Sequence, residues 1–347
     1  MQAYNHYSNC SGKRYDHKRR NSVLLNYSKA RVPVVYLWTW LESRSTKIAS
    51  LLQPDTKIFA LKMPEIRIHA YDRNVRFANT RGHAVISDFK DFIDSVLPTW
   101  FERRRSGHVK IGFDISSLNR LMLVEILIQL ARLCREGDEI EVYYCPAAYE
   151  EPNWQFPQIE KLGPINPAFS CFNSDPTRPL CLVFGAGFEA GFSVGIISQL
   201  EPMLSYCLWG TGVDRRYDRA VRRANFDFQF TGFNTKTISY DIKDPKGAFS
   251  QIESIVYGLT RDYRIIIIPM GPKLFTFLAA LIGMTYFGDV AVWRVQHSRI
   301  SPPDSIPGTF CIGTALDISL MKEFSALAES ANTEARTTLA LGTSDLA

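Results

Sequence analysis

Hydrophobic and polar residues follow a regular pattern only beyond about residue 108. From there to about residue 295, short runs of consecutive apolar residues alternate with segments that have helical spacing. The predicted strands are Val109–Asp114, Ile140–Cys145, Leu180–Phe184, Leu204–Trp209, Arg264–Pro269 and Asp289–Val295. The predicted helices are Ser117–Arg135, Glu189–Leu200, Asp214–Ala224, Ala248–Leu259 and Lys273–Tyr286. Strands that are apolar along their whole length are typical of covered sheets, so the pattern predicts a Rossmann-like α/β domain with a mainly parallel sheet and helices on both faces.

The first third of the chain is less regular. Val34–Trp40 has the composition of a strand, and Ser87–Phe101 has helical spacing. We therefore divide the chain into a flexible basic arm (1–31), a smaller N-terminal α/β lobe (32–107), the Rossmann-like domain (108–332) and a disordered tail (333–347). Within that domain, residues 146–179 contain seven prolines and are predicted to form a loop or a lid.

The composition restricts the class of protein. With 46% hydrophobic and 22% charged residues, a disordered or coiled-coil chain is excluded. The apolar runs are too short to span a membrane, and residues 1–30 lack the apolar core of a secretory signal. Seven cysteines without a CxxC pair indicate buried free thiols in a reducing compartment. We expect a cytoplasmic protein with no metal site and no cofactor.

The net charge of +5 is concentrated in three basic runs, at Lys13–Arg20, Arg103–Arg105 and Asp214–Arg223. Each run is either a solvated surface or a contact for a polyanion, such as nucleic acid or a phosphate-bearing small molecule. Aromatic residues of the kind found in RNA-recognition modules do not interleave with them. Arg215 and Arg216, which open the third run, are candidate ligand-binding residues.

Three turns that follow predicted strands carry further candidate residues, because ligands of open α/β sheets bind beyond the carboxyl ends of the strands. The first turn is Asp114–Ser117. One interpretation is structural: Ser116 or Ser117 caps the next helix, and Asp114 accepts amides of its own loop. The other is functional: the serines bind a phosphate, and Asp114 meets a ribose hydroxyl or a catalytic water.

The second turn, Gly185–Gly191, matches the GxGxxA form of the dinucleotide fingerprint. Glu189 would lie in the first turn of the helix, where it would repel a pyrophosphate. We therefore interpret Gly185 and Gly187 as a tight turn against a ligand. Glu189 either favours the helix dipole or acts as a catalytic or ribose-binding carboxylate.

The third turn is Pro269–Lys273. Pro272 suits the first position of a helix, which places Lys273 at the second. A cation there opposes the helix dipole by about 0.3–1 kcal/mol, unless an anion is bound at the helix start. Gly271 and Lys273 are therefore candidate phosphate-binding residues.

Residues 108–295 resemble the Rossmann-like sensor domains of prokaryotic antiviral systems, the CARF and SAVED group. The features that carry the resemblance are the strand–Asp–Ser–Ser–helix turn at 114–117 and the strand–Gly–Pro–Lys–helix turn at 271–273. The resemblance implies that the chain binds an oligonucleotide second messenger, with Lys273 contacting its phosphate.

Three functions are compatible with the sequence. The first is a nucleotide-binding sensor or accessory subunit of a bacterial antiviral defence system. The second is an enzyme acting on a nucleotide or nucleoside, with Asp114 and Glu189 as catalytic carboxylates. The third is a structural subunit of a larger protein or nucleic-acid complex. The expected partner is an anionic nucleotide; nucleic acid, another protein or a second copy of this chain are further candidates, and a membrane is not.

Overall fold

The structure is a computed structural model. It describes residues 34–39, 42–52, 57–61, 70–80, 84–104, 107–152, 158–170, 175–189, 191–226, 234–297, 305–319 and 321–328. The strands form two six-stranded, mainly parallel sheets with flanking helices, so the predicted α/β, Rossmann-like class is confirmed. The basic arm and the tail lie outside the described residues. Among the helices within these ranges, none is long and apolar enough to cross a membrane.

The strands and helices have the following bounds. The strands are β1 (Val34–Thr39), β2 (Lys57–Leu61), β3 (Ala84–Ile86), β4 (Lys110–Asp114), β5 (Glu139–Tyr144), β6 (Ile159–Pro164), β7 (Leu180–Gly185), β8 (Leu204–Thr211), β9 (Thr235–Asp241), β10 (Arg264–Ile268), β11 (Val290–His297) and β12 (Ile312–Leu316). The helices are α1 (Tyr71–Thr80), α2 (Phe89–Asp91), α3 (Leu97–Arg103), α4 (Arg120–Leu133), α5 (Phe192–Leu200), α6 (Arg215–Ala224), α7 (Pro245–Leu259) and α8 (Lys273–Thr285). A π-helical turn (Phe92–Val96) joins α2 to α3.

The two sheets have the same strand order. The first runs β12-β5-β4-β1-β2-β3 and the second β6-β11-β10-β7-β8-β9. In each sheet five strands are parallel, and the strand beside the fifth, β12 or β6, is an antiparallel edge. The order reverses direction between β1 and β4 in the first half, and between β7 and β10 in the second. In open α/β sheets ligands bind at such a switch point, and the described strands provide two of them.

Local sequence accounts for the elements that carry these switch points. β7 is buried at every position after Leu180, and β10 is apolar after Arg264 with three of its four isoleucines buried, as expected for central parallel strands. α4 begins after Asn119, whose side-chain oxygen accepts the amide of Met122 at 2.8 Å. Nearly every residue of α8 is buried, because this apolar helix packs against both α4 and α7.

The apolar core is continuous between the two halves. Phe113 and Ile126 of the first half belong to the same buried cluster as Phe275 and Leu278 of the second. Because α4 and α8 follow β4 and β10 directly and pack against each other, the carboxyl ends of these two strands come close together.

The division of the chain differs from the one predicted. The strands predicted at 109–114 and 140–145 pair with β1 and β12 in the first sheet, not with the strands of the second. The boundary between the sheets therefore falls after β5 rather than between residues 107 and 108. Apolar runs indicate that a strand is buried, but they do not specify its neighbour. The predicted loop at 146–179 also contains β6 and a short helix, Pro167–Phe169.

Candidate functional site

Four turns meet where the halves join, and each follows a strand at one of the switch points. We call this region the junction. It comprises residues 42–45 after β1, 114–120 after β4, 185–189 after β7 and 269–273 after β10. The sequence predicted that the last three would converge at the edge of one sheet. They do lie together, but at the facing edges of two sheets.

Two cationic side chains cross the junction in opposite directions. Lys273 Nζ, from the second half, donates to the carbonyl oxygen of Ser116 in the first half at 2.9 Å. Arg120 Nη2, from the first half, donates to the carbonyl oxygen of Gly271 at 2.8 Å. Each half therefore holds a main-chain carbonyl of the other through a charged hydrogen bond.

The anion beside Lys273 is a carboxylate of the protein itself. Lys273 Nζ lies 3.3 Å from Glu42 Oε1, and Glu42 also pairs with Arg44. The side chains of Glu42 and Lys273 are 16% and 18% exposed. Lys273 is the first residue of α8, one position earlier than predicted. The sequence predicted that Lys273 needs an anion nearby, and the structure places one there. That anion is the Glu42 carboxylate of the protein itself, whereas the sequence predicted a bound ligand.

Burial alters the charge states of this pair. Burial lowers the pKa of Lys273 to about 8, although the Glu42 carboxylate acts in the opposite direction. Burial alone would raise the pKa of Glu42, but the charges of Lys273 and Arg44 outweigh it and hold that pKa below its usual value. Lys273 therefore loses its proton more readily than an ordinary lysine, whereas Glu42 stays ionised.

The turn after β4 is held largely by its own hydrogen bonds. Asp114 is buried, and its Oδ1 accepts the amide of Ser116 at 2.8 Å, as the structural interpretation predicted. The hydroxyl of Ser116 accepts the amide of Cys145 at 2.8 Å. The hydroxyl of Ser117 accepts from that of Ser45 at 2.8 Å. Neither serine caps α4, because Asn119 occupies that position.

The glycines of the two turns in the second half allow a close approach of main chains. A Cβ at Gly185 would clash with the carbonyl oxygen of Met270, and one at Gly271 would clash with that of Ala186. Gly271 also has a φ of 72°, which side chains other than glycine rarely adopt. The close approach of the two main chains therefore explains why glycine occupies these positions, without a bound dinucleotide.

Glu189 lies outside the helix in which it was predicted. α5 begins at Phe192, after Gly191 with a φ of 79°. The Glu189 carboxylate lies over Gly187, where an added Cβ would clash with it. Glu189 thus lies in the junction itself, in the turn after β7, and its proposed effect on the dipole of α5 does not apply.

Arg215 and Arg216 lie beside the junction rather than in it. Both are exposed at the start of α6, and Arg216 Nη2 pairs with Asp214 Oδ2 at 2.7 Å. The connection to the junction runs through Tyr217, whose ring stacks on Phe188 with 5.4 Å between centroids.

Three charged residues of the junction were missed by the sequence reasoning: Glu42, Arg44 and Arg120. The signal for the first two was a polar turn directly after the predicted strand Val34–Trp40, which was not examined as a strand end. Arg120 was treated as part of an amphipathic helix. Its Nε is buried without a hydrogen-bond partner among the described residues.

Comparisons with known proteins assign no family. No family model and no curated protein matches the sequence. The mitomycin 7-O-methyltransferase MmcR is 14% identical, over 35% of this chain and 34% of that one, at a TM-score of 0.20. The S-adenosylmethionine-dependent methyltransferase SibL is 15% identical, over 34% and 32% of the chains, at a TM-score of 0.21. The cytoplasmic domain of a prokaryotic cation chloride cotransporter is 6% identical, over 76% and 95%, at 0.23. This chain spans about a third of the length of the two methyltransferases.

Proposed function

We propose that this protein binds an anionic, phosphate-bearing small molecule, a nucleotide, at the junction. The observation that supports the proposal is the collection of three cations, Arg44, Arg120 and Lys273, at the switch points of both halves. The same four turns hold three carboxylates, Glu42, Asp114 and Glu189, so the formal charges balance and the proposal rests on where the cations lie rather than on net charge. The Nε of Arg120, which has no hydrogen-bond partner in the part of the chain that the structure describes, also offers a donor for an anion.

In this proposal the ligand phosphate takes the position of the Glu42 carboxylate beside Lys273. Glu42 keeps a cationic partner in that state, because it also pairs with Arg44. Lys273 and Arg120 each hold a carbonyl of the opposite half, so a ligand that engages either of them alters the contact between the halves. Such a response suits a cytoplasmic sensor or accessory subunit of antiviral defence, as the resemblance of residues 108–295 implies.

The enzyme hypothesis has less support. Asp114 is buried and already accepts an amide of its own turn, so it is a poor candidate for proton transfer to a substrate. We therefore assign Asp114 a structural role in the turn after β4, and we propose binding rather than catalysis.

Lys273→Ala and Glu42→Gln are expected to change nucleotide affinity in opposite directions. Losing the charged hydrogen bond of Lys273, worth about 1.5–3 kcal/mol, should weaken binding by about one to two orders of magnitude. Removing the Glu42 charge takes away the competing anion, so Glu42→Gln should tighten binding. Calorimetry with mononucleotides, cyclic oligonucleotides and inorganic phosphate measures both effects.

Lys161→Ala is the matched control, because Lys161 is an exposed lysine on β6, outside the junction. It should leave the affinity unchanged. If Glu42→Gln and Lys273→Ala weaken binding equally, the ion pair between Glu42 and Lys273 stabilises the fold, and the Glu42 carboxylate does not compete with a ligand. The proposal also fails if the wild-type protein binds no member of the nucleotide panel.

A further inference from the structure

The α6 helix presents all five of its arginines on one side. They are exposed, and they are Arg215, Arg216, Arg219, Arg222 and Arg223. At 3.6 residues per turn these positions fall within an arc of about 120°. The small residues Ala220 and Ala224 are buried on the other side of the helix, which packs against β8. We call this surface the arginine face.

Such a concentration of like charge is unfavourable for an isolated helix. Arg215 and Arg219, like Arg219 and Arg223, are spaced four residues apart, where like charges repel. The two carboxylates of this segment, Asp214 and Asp218, do not balance five guanidinium groups. An anionic partner with several charges would relieve this repulsion, whereas a single phosphate would not.

Aromatic rings flank both ends of the arginine face. The guanidinium carbon of Arg216 lies 4.8 Å from the ring centroid of Tyr149, and that of Arg222 lies 5.3 Å from Trp209. The Tyr149 ring meets Tyr217 edge-on at 5.2 Å. Phe226, just beyond the helix, is 54% exposed. Trp209, Tyr217 and Phe226 lie within α6 or close to it in the sequence, whereas Tyr149 follows β5 and reaches the arginines only in the fold.

We propose that the arginine face and its flanking rings bind single-stranded nucleic acid. Basic side chains that follow the backbone, together with rings on which bases stack, are the two components of single-strand binding sites. Tyr149 and Trp209 would be of little use with a duplex, whose bases are already stacked. A merely acidic protein would use the arginines but not the rings.

The arginine face can be tested by fluorescence anisotropy with a labelled single-stranded RNA of mixed sequence. Arg215, Arg219 and Arg223 are replaced together by Gln, which keeps both observed ring contacts. We expect affinity to fall by about tenfold or more, and the slope of log affinity against log salt to decrease by about 2. The control replaces three exposed arginines elsewhere, Arg76, Arg132 and Arg261, by Gln and should bind as the wild type does.

A second variant tests the rings. Tyr149→Leu keeps every arginine, and it should weaken single-strand binding by about fivefold or more while leaving heparin binding unchanged. Circular dichroism establishes that each variant is folded. The proposal is overturned if both triple variants lose affinity equally, if duplex and heparin bind as well as the single strand, or if no single strand binds. Lys273→Ala should not affect this binding, which separates it from the junction.

Independently, two cysteines face each other at the end of one β ladder. β12 pairs antiparallel with β5, with Ile312 opposite Tyr144, so the next pair in register is Cys311 and Cys145. Cys145 Sγ also lies 3.8 Å from the carbonyl oxygen of Phe310, the residue before Cys311. Directly opposite residues have Cα atoms about 4.5–5.5 Å apart, which lies within the range of a disulfide. Cys145 is buried and Cys311 is half-buried.

We infer that Cys145 and Cys311 form a reversible disulfide when the protein meets hydrogen peroxide. The Cys145 thiolate attacks the peroxide, the O–O bond breaks, and a sulfenic acid and a hydroxide result. The Cys311 thiol then attacks the sulfenic sulfur, the S–S bond forms, and the thiol proton leaves with the sulfenic hydroxyl as water. The interaction between the two side chains lowers the pKa of Cys145 and raises that of Cys311, so Cys145 supplies the thiolate. Cys145 adjoins the junction, because its carbonyl accepts from Arg44 Nη1 at 3.1 Å.

Peptide mapping by mass spectrometry, after peroxide treatment and alkylation, tests this inference. We expect a crosslink between the peptides of Cys145 and Cys311 that disappears after reduction by dithiothreitol. Cys311→Ser should abolish the crosslink, as should Cys145→Ser, whereas Cys207→Ser should retain it. A disulfide from Cys145 to any other cysteine, or overoxidation without a disulfide, would contradict the inference.

Discussion

Asp138→Ala is expected to lower the free energy of unfolding by about 3–5 kcal/mol, because it leaves a buried guanidinium group without its counter-ion. Arg104 Nη1 lies 2.8 and 2.7 Å from the two carboxylate oxygens of Asp138. The side chains are 5% and 1% exposed. Asp138 also accepts the amides of Val109 at 3.0 Å and Arg135 at 2.7 Å. The substitution would therefore leave two amides unpaired where the chain enters β4 and β5.

Urea unfolding followed by circular dichroism measures this loss. Asp175→Ala is the matched control, because Asp175 also accepts a turn amide, that of Thr177, and approaches Arg178, but it is exposed. Its substitution should change stability far less. Equal losses in the two variants would mean that burial does not strengthen the Asp138 network.

The central strands of the second half could be predicted because their signal is local. β7 and β10 are apolar at nearly every position, and the helices after them have helical spacing. The edge strands β6 and β9 were not recognised, because most of their residues are exposed or half-buried and no apolar run marks them. A strand that buries few residues has few apolar positions, so the hydrophobic pattern of the sequence does not reveal it.

The duplicated architecture could not be predicted from those local signals. Nothing in the run at Ile140–Cys145 specifies that its partners are β4 and β12, which lie on opposite sides of it in the chain. Pairing depends on which strands the intervening helices allow to meet, and that is a property of the whole chain. The predicted lobe at 32–107 is consequently part of a larger sheet.

For the candidate site, the sequence identified the residues better than their partners. Lys273 could be singled out because a cation at a helix start opposes the dipole, which is a local effect. Its counter-ion, Glu42, lies 231 positions away along the chain, and no spacing rule connects the two. The same holds for Tyr149, whose ring reaches Arg216 of α6 only after folding.

The second large effect concerns Lys273 and alkaline pH. The folded state holds this lysine at a pKa of about 8, below its ordinary value of 10.5, because the side chain is buried. Between these two pH values the unfolded chain binds more protons than the folded one. Stability therefore gains from this group as pH rises, by roughly 2–3 kcal/mol between pH 7 and pH 10. Glu42 limits the gain, whereas the nearby charges of Arg44 and Arg120 increase it.

The measurement must be a difference between two proteins, because other groups act in the opposite direction. Burial raises the pKa of Cys134, Cys181 and Cys207 to about 12, so each of these thiols makes the fold less stable as pH rises above about 9. Lys273→Met removes the titrating ammonium group and leaves those thiols in place. Urea unfolding at pH 7, 8, 9 and 10 should therefore show the wild type gaining on Lys273→Met by roughly 2–3 kcal/mol. A constant difference would mean that water solvates the Lys273 ammonium group freely, and the junction would then be more open than its contacts with Glu42 and Ser116 indicate.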